Sequence, residues 1–251
     1  MLRLLRNVAE WVMPRECVVC GAPLLPSEEH ICRHCASDIP LTRYEGREHN
    51  PMADALNARI QERLTEYEPY SRACALFFYK ADSPYANITK ALKYRYDRSG
   101  GRFFAAMLGR RMAASPLYAD VDALVPVPLH WTRRWKRGYN QAEVIAREMA
   151  SCWPEARFCP EGLRRRSRTR SQARLPGAAE RAANLRGAFR AVPGKCALTP
   201  QLRLPESRPG HILLVDDVFT TGSTLCECHR ALRAVCGPEV RISVAALGFV
   251  P

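Results

Sequence analysis

Residues 212–225, "ILLVDDVFTTGSTL", decide how the rest of this chain is read. Ile212 to Val215 form an unbroken apolar run, as expected of a central parallel strand buried on both faces. Asp216 and Asp217 then fall at its carboxyl end, the edge at which open α/β sheets bind ligands. Neighbouring strand residues point to opposite faces, so both acids reach one ligand only if the strand is already turning there. Thr220, Thr221, Gly222, Ser223 and Thr224 follow: a glycine that permits a sharp turn among small hydroxyl residues that leave amides exposed. The helix expected from Ser223 to about Cys236 presents its N-terminus to the same place, capped by Ser223 or by Thr224 with Glu227. Free amides at a helix N-terminus make an anion site, and phosphate fits it. Two acids beside a phosphate cradle suit a sugar phosphate, hydroxyls on the acids and phosphate in the loop. A Walker B strand also ends in an acid, but it requires a G-x-x-x-x-G-K-[ST] loop, and the sequence has none.

Outward from that strand, "RISVAALGFV" reads as the last strand and Gly237-Pro238 as the stop of the intervening helix. "NPMADALNARIQERL" has helical spacing, and "RACALFFYKAD" and "VDALVPVP" read as strands. "SPYANITKALKYRYDRSGG" is a helix ending at its paired glycines, and "RFFAAMLGRRMAAS" and "AAERAANLRGAF" are further helices. A basic loop follows "VDALVPVP" and leads to a helix from Asn140, capped with Glu143; a short strand lies near "RFCPEGLRRR". Strands alternating with helices from about residue 120 imply an α/β fold with a mostly parallel sheet.

The first 45 residues form a separate pattern. Cys17 and Cys20, then Cys32 and Cys35, make two C-x-x-C knuckles, the spacing that places four thiolates around one tetrahedral zinc ion. Four thiolates leave no open coordination position, so the zinc is structural. His30 is expected to be exposed, and His34 to lie inside the knuckle without ligating. The other seven cysteines read as small core residues, Cys226 and Cys228 standing closest to the acid pair. Arg3, Arg6 and Glu10 break what would be the apolar core of a secretory signal, and Leu2, Leu5 and Val8 instead mark one face of a short amphipathic helix. With no apolar stretch of membrane-spanning length, the expectation is a cytoplasmic protein with reduced thiols. The net charge of +13, mostly from arginine, favours polyanionic partners.

The stretch 212–224 resembles the phosphoribosyl-pyrophosphate (PRPP) motif of type I phosphoribosyltransferases. "LVPVPLHWTRRWKRGYNQAEVIA", "LRRRSRTRSQARL", "ERAANLRGAF" and the cysteine unit ahead of "ALKYRYDRSGG" resemble the ComF/GntX family. The proline-rich connector over residues 192–211 is a departure in length. The resemblance implies a type I phosphoribosyltransferase-like parallel sheet flanked by helices, with a small zinc-ribbon-like unit over 1–45. Residues 46–251 would be the transferase-like domain, 46–118 its hood and 119–251 its PRPP-binding core. It implies that Asp216 and Asp217 bind the ribose hydroxyls, that Thr220 to Thr224 hold the 5-phosphate, and that magnesium accompanies PRPP. Arg133, Arg134, Lys136 and Arg137 would meet pyrophosphate. Arg164, Arg165, Arg166, Arg168 and Arg170 would lie on a mobile loop over the ligand, and Gln172, Arg181 and Asn184 match family positions without an assigned role. The function implied is phosphoribosyl transfer to an unidentified acceptor, linked to DNA uptake and competence-machinery proteins. The competing readings are a single-stranded nucleic-acid binder, with Trp131, Trp135 and Tyr139 as stacking groups, and a PRPP-sensing regulator.

Overall fold

The computed structural model describes residues 15–62, 68–95, 98–166, 187–195 and 210–251. The central sheet has strands β1 (Ala73–Phe78), β2 (Ala123–Pro126), β3 (Arg157–Phe158), β6 (His211–Phe219) and β7 (Arg241–Phe249). Their order is β1-β7-β6-β2-β3, and every pairing is parallel. β6 and β7 sit in the middle because their apolar runs are buried on both faces; Ile212 to Val215 are fully inaccessible. A separate antiparallel pair joins β4 (Leu163–Arg165) to β5 (Phe189–Ala191).

Helices flank the sheet. α2 (Pro51–Gln61) starts where expected: Asn50 accepts the amide of Ala53 at 3.0 Å, Pro51 takes the first position, and Met52, Leu56 and Ile60 are buried. It packs on α7 (Ser223–Arg233), while α4 (Arg98–Ala113) packs on α6 (Gln141–Ala150). α7 ends at Arg233, and a turn carries the chain to Gly237.

Three expectations are corrected. The glycine pair does not end a helix: α3 (Ala86–Lys90) runs into a π-helical turn (Ala91–Arg95), and Gly100 and Gly101 lie inside α4. A Cβ on Gly101 would stand 2.2 Å from Leu92 Cδ2, so Gly101 serves close approach to the π turn. The basic loop after β2 is the seven-residue helix α5 (Trp131–Arg137). Arg164 and Arg165 belong to β4 rather than to a loop. The N-terminal helix expected at Leu2 to Val8, and most of the helix expected at 178–189, lie outside the described residues.

Candidate functional site

β6 pairs with β7 along its whole length, to Phe219↔Phe249, but with β2 only as far as Val215. Val127 N donates to Val215 O at 2.8 Å, and there the β2 chain departs. Asp216 and Asp217 therefore stand beside a gap in the sheet, and both line one cleft of about 220 Å³ although they are adjacent in a strand. The same cleft is lined by Lys93, Arg137, Asn140, Gln141, Arg165, Thr220 and Thr224. Asp217 N donates to Asp216 Oδ1 at 2.8 Å, and Lys93 Nζ pairs with Asp217 Oδ2 at 2.8 Å. Burial and the neighbouring Asp217 carboxylate push the Asp216 carboxyl up to about 7, against the pull of Lys93 and Arg165. Burial works against the charge of Lys93, but the two carboxylates outweigh it and raise its pKa.

The loop that follows departs from its expected capping. Gly222 takes the cap position of α7 with φ +70° and no side-chain cap, so neither Ser223 nor Thr224 caps the helix. Thr221 Oγ1 and Ser223 Oγ lie 3.0 Å apart, and Glu227 instead accepts from Gly187 N and Arg230. The first intrahelical bond runs from Cys226 N to Gly222 O, leaving the amides of Ser223, Thr224 and Leu225 without helical partners. Thr220 and Thr224 line the cleft; Thr221, Gly222 and Ser223 shape the turn between them.

On the β2 side, Arg137 of α5 lines the cleft, its Nη1 donating to Gln141 Oε1 at 3.0 Å. Arg134 is exposed and pairs with Glu143 at 3.8 Å; the side chains of Arg133 and Lys136 lie outside the description. Asn140 occupies the cap position of α6 but does not cap it with its side chain, donating instead to Val127 O at 3.0 Å. Gln141 is 2% exposed, and its Nε2 is buried without a partner. Arg165 reaches the cleft from β4, whereas Arg164 and Arg166 do not. Arg168, Arg170, Gln172, Arg181 and Asn184 lie outside the described residues. Lys93 and Gln141 escaped sequence reasoning: each is a lone polar residue on a helical segment, without motif spacing.

In the cysteine unit, the four Sγ atoms of Cys17, Cys20, Cys32 and Cys35 lie within 4.8 Å of one another. Amides of Cys32 and Cys35 donate to the sulfurs of Cys17 and Cys32, as thiolate ligands require. Glu28, 8% exposed, ties the intervening loop to the second knuckle by accepting from Leu25 N and Arg33 N at 2.7 Å each. This donor set fits a structural metal such as zinc. The unit docks on the rest of the chain through Tyr85 Oη to Cys35 O and Asn87 Nδ2 to Val19 O. His34 is exposed on the short helix α1 (Arg33–Ser37) rather than inside the knuckle, and His30 is half-buried against the Phe103 ring, 5.5 Å between centroids. Cys226 and Cys228 are core residues.

The fold also aligns a Ser-His-Asp chain that the sequence did not reveal. His211 Nε2 lies 2.8 Å from Ser243 Oγ, and Nδ1 lies 2.9 Å from Asp120. His211 is 0% and Ser243 3% exposed at the amino ends of β6 and β7, so no substrate reaches this serine. It is a packing network. Among the described residues no helix is long and apolar enough to cross a membrane.

No family model matches the chain. It is 36% identical over 121 residues to Competence protein F of Haemophilus influenzae, a match covering 48% of each chain. The chain thus spans about half the length of that relative, and 43% of the DNA utilization protein YhgH of Escherichia coli K12, again at 36% identity. A longer match reaches YhgH of Salmonella typhi, 28% identical over 88% of this chain and 91% of that protein. The chain is thus a homologue of Competence protein F and of the DNA utilization protein YhgH.

Proposed function

We propose that the cleft binds PRPP with magnesium and transfers its phosphoribosyl group to an acceptor, in the service of DNA uptake. The observation that carries this reading is the lining of one cleft by both carboxylates, the α7 N-terminus and the cations Lys93, Arg137 and Arg165. Asp216 and Asp217 accept the ribose hydroxyls, and the free amides at Ser223 and Thr224 take the 5-phosphate. Arg137 and the α6 N-terminus receive the pyrophosphate end. Magnesium would supply counter-charge to that diphosphate, which the cleft otherwise neutralises with its own cations. The bond from ribose C1 to pyrophosphate breaks and one from C1 to the acceptor nucleophile forms; the acids stabilise the positive charge that develops on the sugar. No general base is needed for the positioning itself. The cysteine unit and the remainder, 46–251, act as two functional units.

The test is thermal stability with and without magnesium-PRPP, for the wild type and an Asp216→Asn, Asp217→Asn double variant. A saturable rise in the wild type that the variant lacks supports the reading; no rise in a folded, zinc-loaded protein overturns it. Release of pyrophosphate on adding candidate acceptors then measures turnover.

A second reading rests on α5. Trp131 is 61% and Trp135 83% exposed, one helical turn apart beside Arg134, a stacking platform for single-stranded nucleic acid. Tyr139 does not share it: the ring is 7% exposed and its hydroxyl donates to Leu92 O. Oligonucleotide binding that falls steeply with salt and ignores the Asp216, Asp217 double variant favours this reading.

A further inference from the structure

The β4–β5 hairpin carries a charge arrangement that the cleft does not use. Arg164 and Arg190 are direct partners across its antiparallel ladder, so their side chains leave the same face side by side. Arg166 follows two residues on, on that face; Arg165, between them, belongs to the other. Like charges placed opposite each other on a ladder disfavour the pairing, and sheets ordinarily offset them with an acid. None does so here: Arg164, Arg166 and Arg190 are exposed and, among the described residues, have no ion pair or side-chain hydrogen bond. Glu161, the nearest acid along the strand, is engaged with Lys195 at 3.3 Å. The arginines line a second cavity of about 380 Å³ with Val192 and Pro193. Arg165 lines both cavities, its guanidinium resting over the Phe189 ring at 5.2 Å.

We infer that Arg164 and Arg190, assisted by Arg166, form a phosphate-binding site that seats a phosphate-bearing second substrate beside the cleft. Two guanidinium groups lining one space can engage the three or four oxygens of a phosphate, more acceptors than a single carboxylate or hydroxyl offers. A phosphate between them removes the cross-strand repulsion, so binding stabilises the hairpin. The shared residue Arg165 places the occupant next to the sugar-binding cleft. The phosphate site stands on the hairpin alone; its role as an acceptor site rests on the transferase reading above.

The test compares wild type with Arg164→Gln, Arg190→Gln and with Arg164→Lys, Arg190→Lys, each shown to be folded by circular dichroism. Inorganic phosphate, thymidine monophosphate and a deoxythymidine ten-mer are titrated separately, and the magnesium-PRPP stability shift is read on the same proteins. The Gln variant should lose at least tenfold in affinity for phosphate and the monophosphate, and the Lys variant should keep part of it. Parallel loss for the ten-mer, with a salt slope shallower by about 2, identifies a nucleic-acid phosphate as the source. Loss confined to the monophosphate identifies a small phosphate ester. Wild type that binds none of the three, or a Gln variant within twofold of wild type for all, overturns the site. A magnesium-PRPP shift absent from wild type alongside arginine-dependent phosphate binding overturns only the transferase reading.

Discussion

The carboxyl ends of β6 and β2 both lead into a helix at the same cleft, yet they meet it by different means. After β6 the turn is tight: Gly222 in the left-handed region hands the chain straight to α7, and the donors are main-chain amides. After β2 the seven-residue helix α5 intervenes, and the donors are the side chains of Arg137 and Gln141. A backbone cradle is fixed by conformation and tolerates little change. A side-chain clamp is fixed by partners and is adjustable. For the ligand proposed above, the first would suit a group held in one fixed position, and the second would be the place where ligand choice can be altered.

Breaking the β6 end should cost most. Gly222→Val puts a β-branched residue at φ +70° with its Cβ 2.7 Å from the Phe219 ring. We expect loss of the magnesium-PRPP stability shift and a fall in folding stability of about 2–3 kcal/mol, read by denaturant titration. On the β2 side, Arg137→Ala should weaken inorganic pyrophosphate ten- to fiftyfold by calorimetry with the fold intact, and Arg137→Lys should recover little, because the fork shared with Gln141 is lost. Equal losses at the two ends in fold and in binding would show that cradle and clamp do not differ.

The acid pair between the two ends gives a pH signature. The Asp216 carboxyl is raised to about 7 in the folded protein from an ordinary 3.8, so the native state holds the proton more tightly than the unfolded chain. Its contribution to stability therefore declines as pH rises from about 4 to about 7 and is gone above that. Asp216→Asn should match wild type near pH 4 and exceed it at pH 8 by on the order of 1–2 kcal/mol, after discounting for partial exposure. A variant that is less stable at pH 8 sinks this prediction. The smallest effect belongs to Trp135→Ala, within about 0.5 kcal/mol of wild-type stability because the ring is 83% exposed. If α5 is a stacking platform, the same variant weakens a deoxythymidine oligonucleotide severalfold in an anisotropy titration.

The same contrast explains what sequence could reveal. β6 and the cysteine knuckles were legible because each signal is local: a run of apolar residues, an acid pair, a repeated spacing. α5 was not, since its tryptophans face outward and leave no apolar periodicity to read. Gly100 and Gly101 suggested a helix stop because glycine ends helices more often than it lines them; Leu92, pressed against Gly101, lies nine residues away. The cap was hidden for a similar reason, since Gly222 takes the cap position in the left-handed region without a side-chain hydrogen bond. Lys93 reaches Asp217 from 124 positions upstream, through a π turn that no local pattern announces.

That π turn has one more implication. It directly continues α3, and α3 with its entry is what the cysteine unit grips, through Tyr85 and Asn87. An ion held by Cys17, Cys20, Cys32 and Cys35 would thus act as a distant fulcrum: by stiffening the platform under α3 it would set the reach of the lysine that faces the acid pair. Chelation would then detune the cleft without any chemistry occurring at the metal.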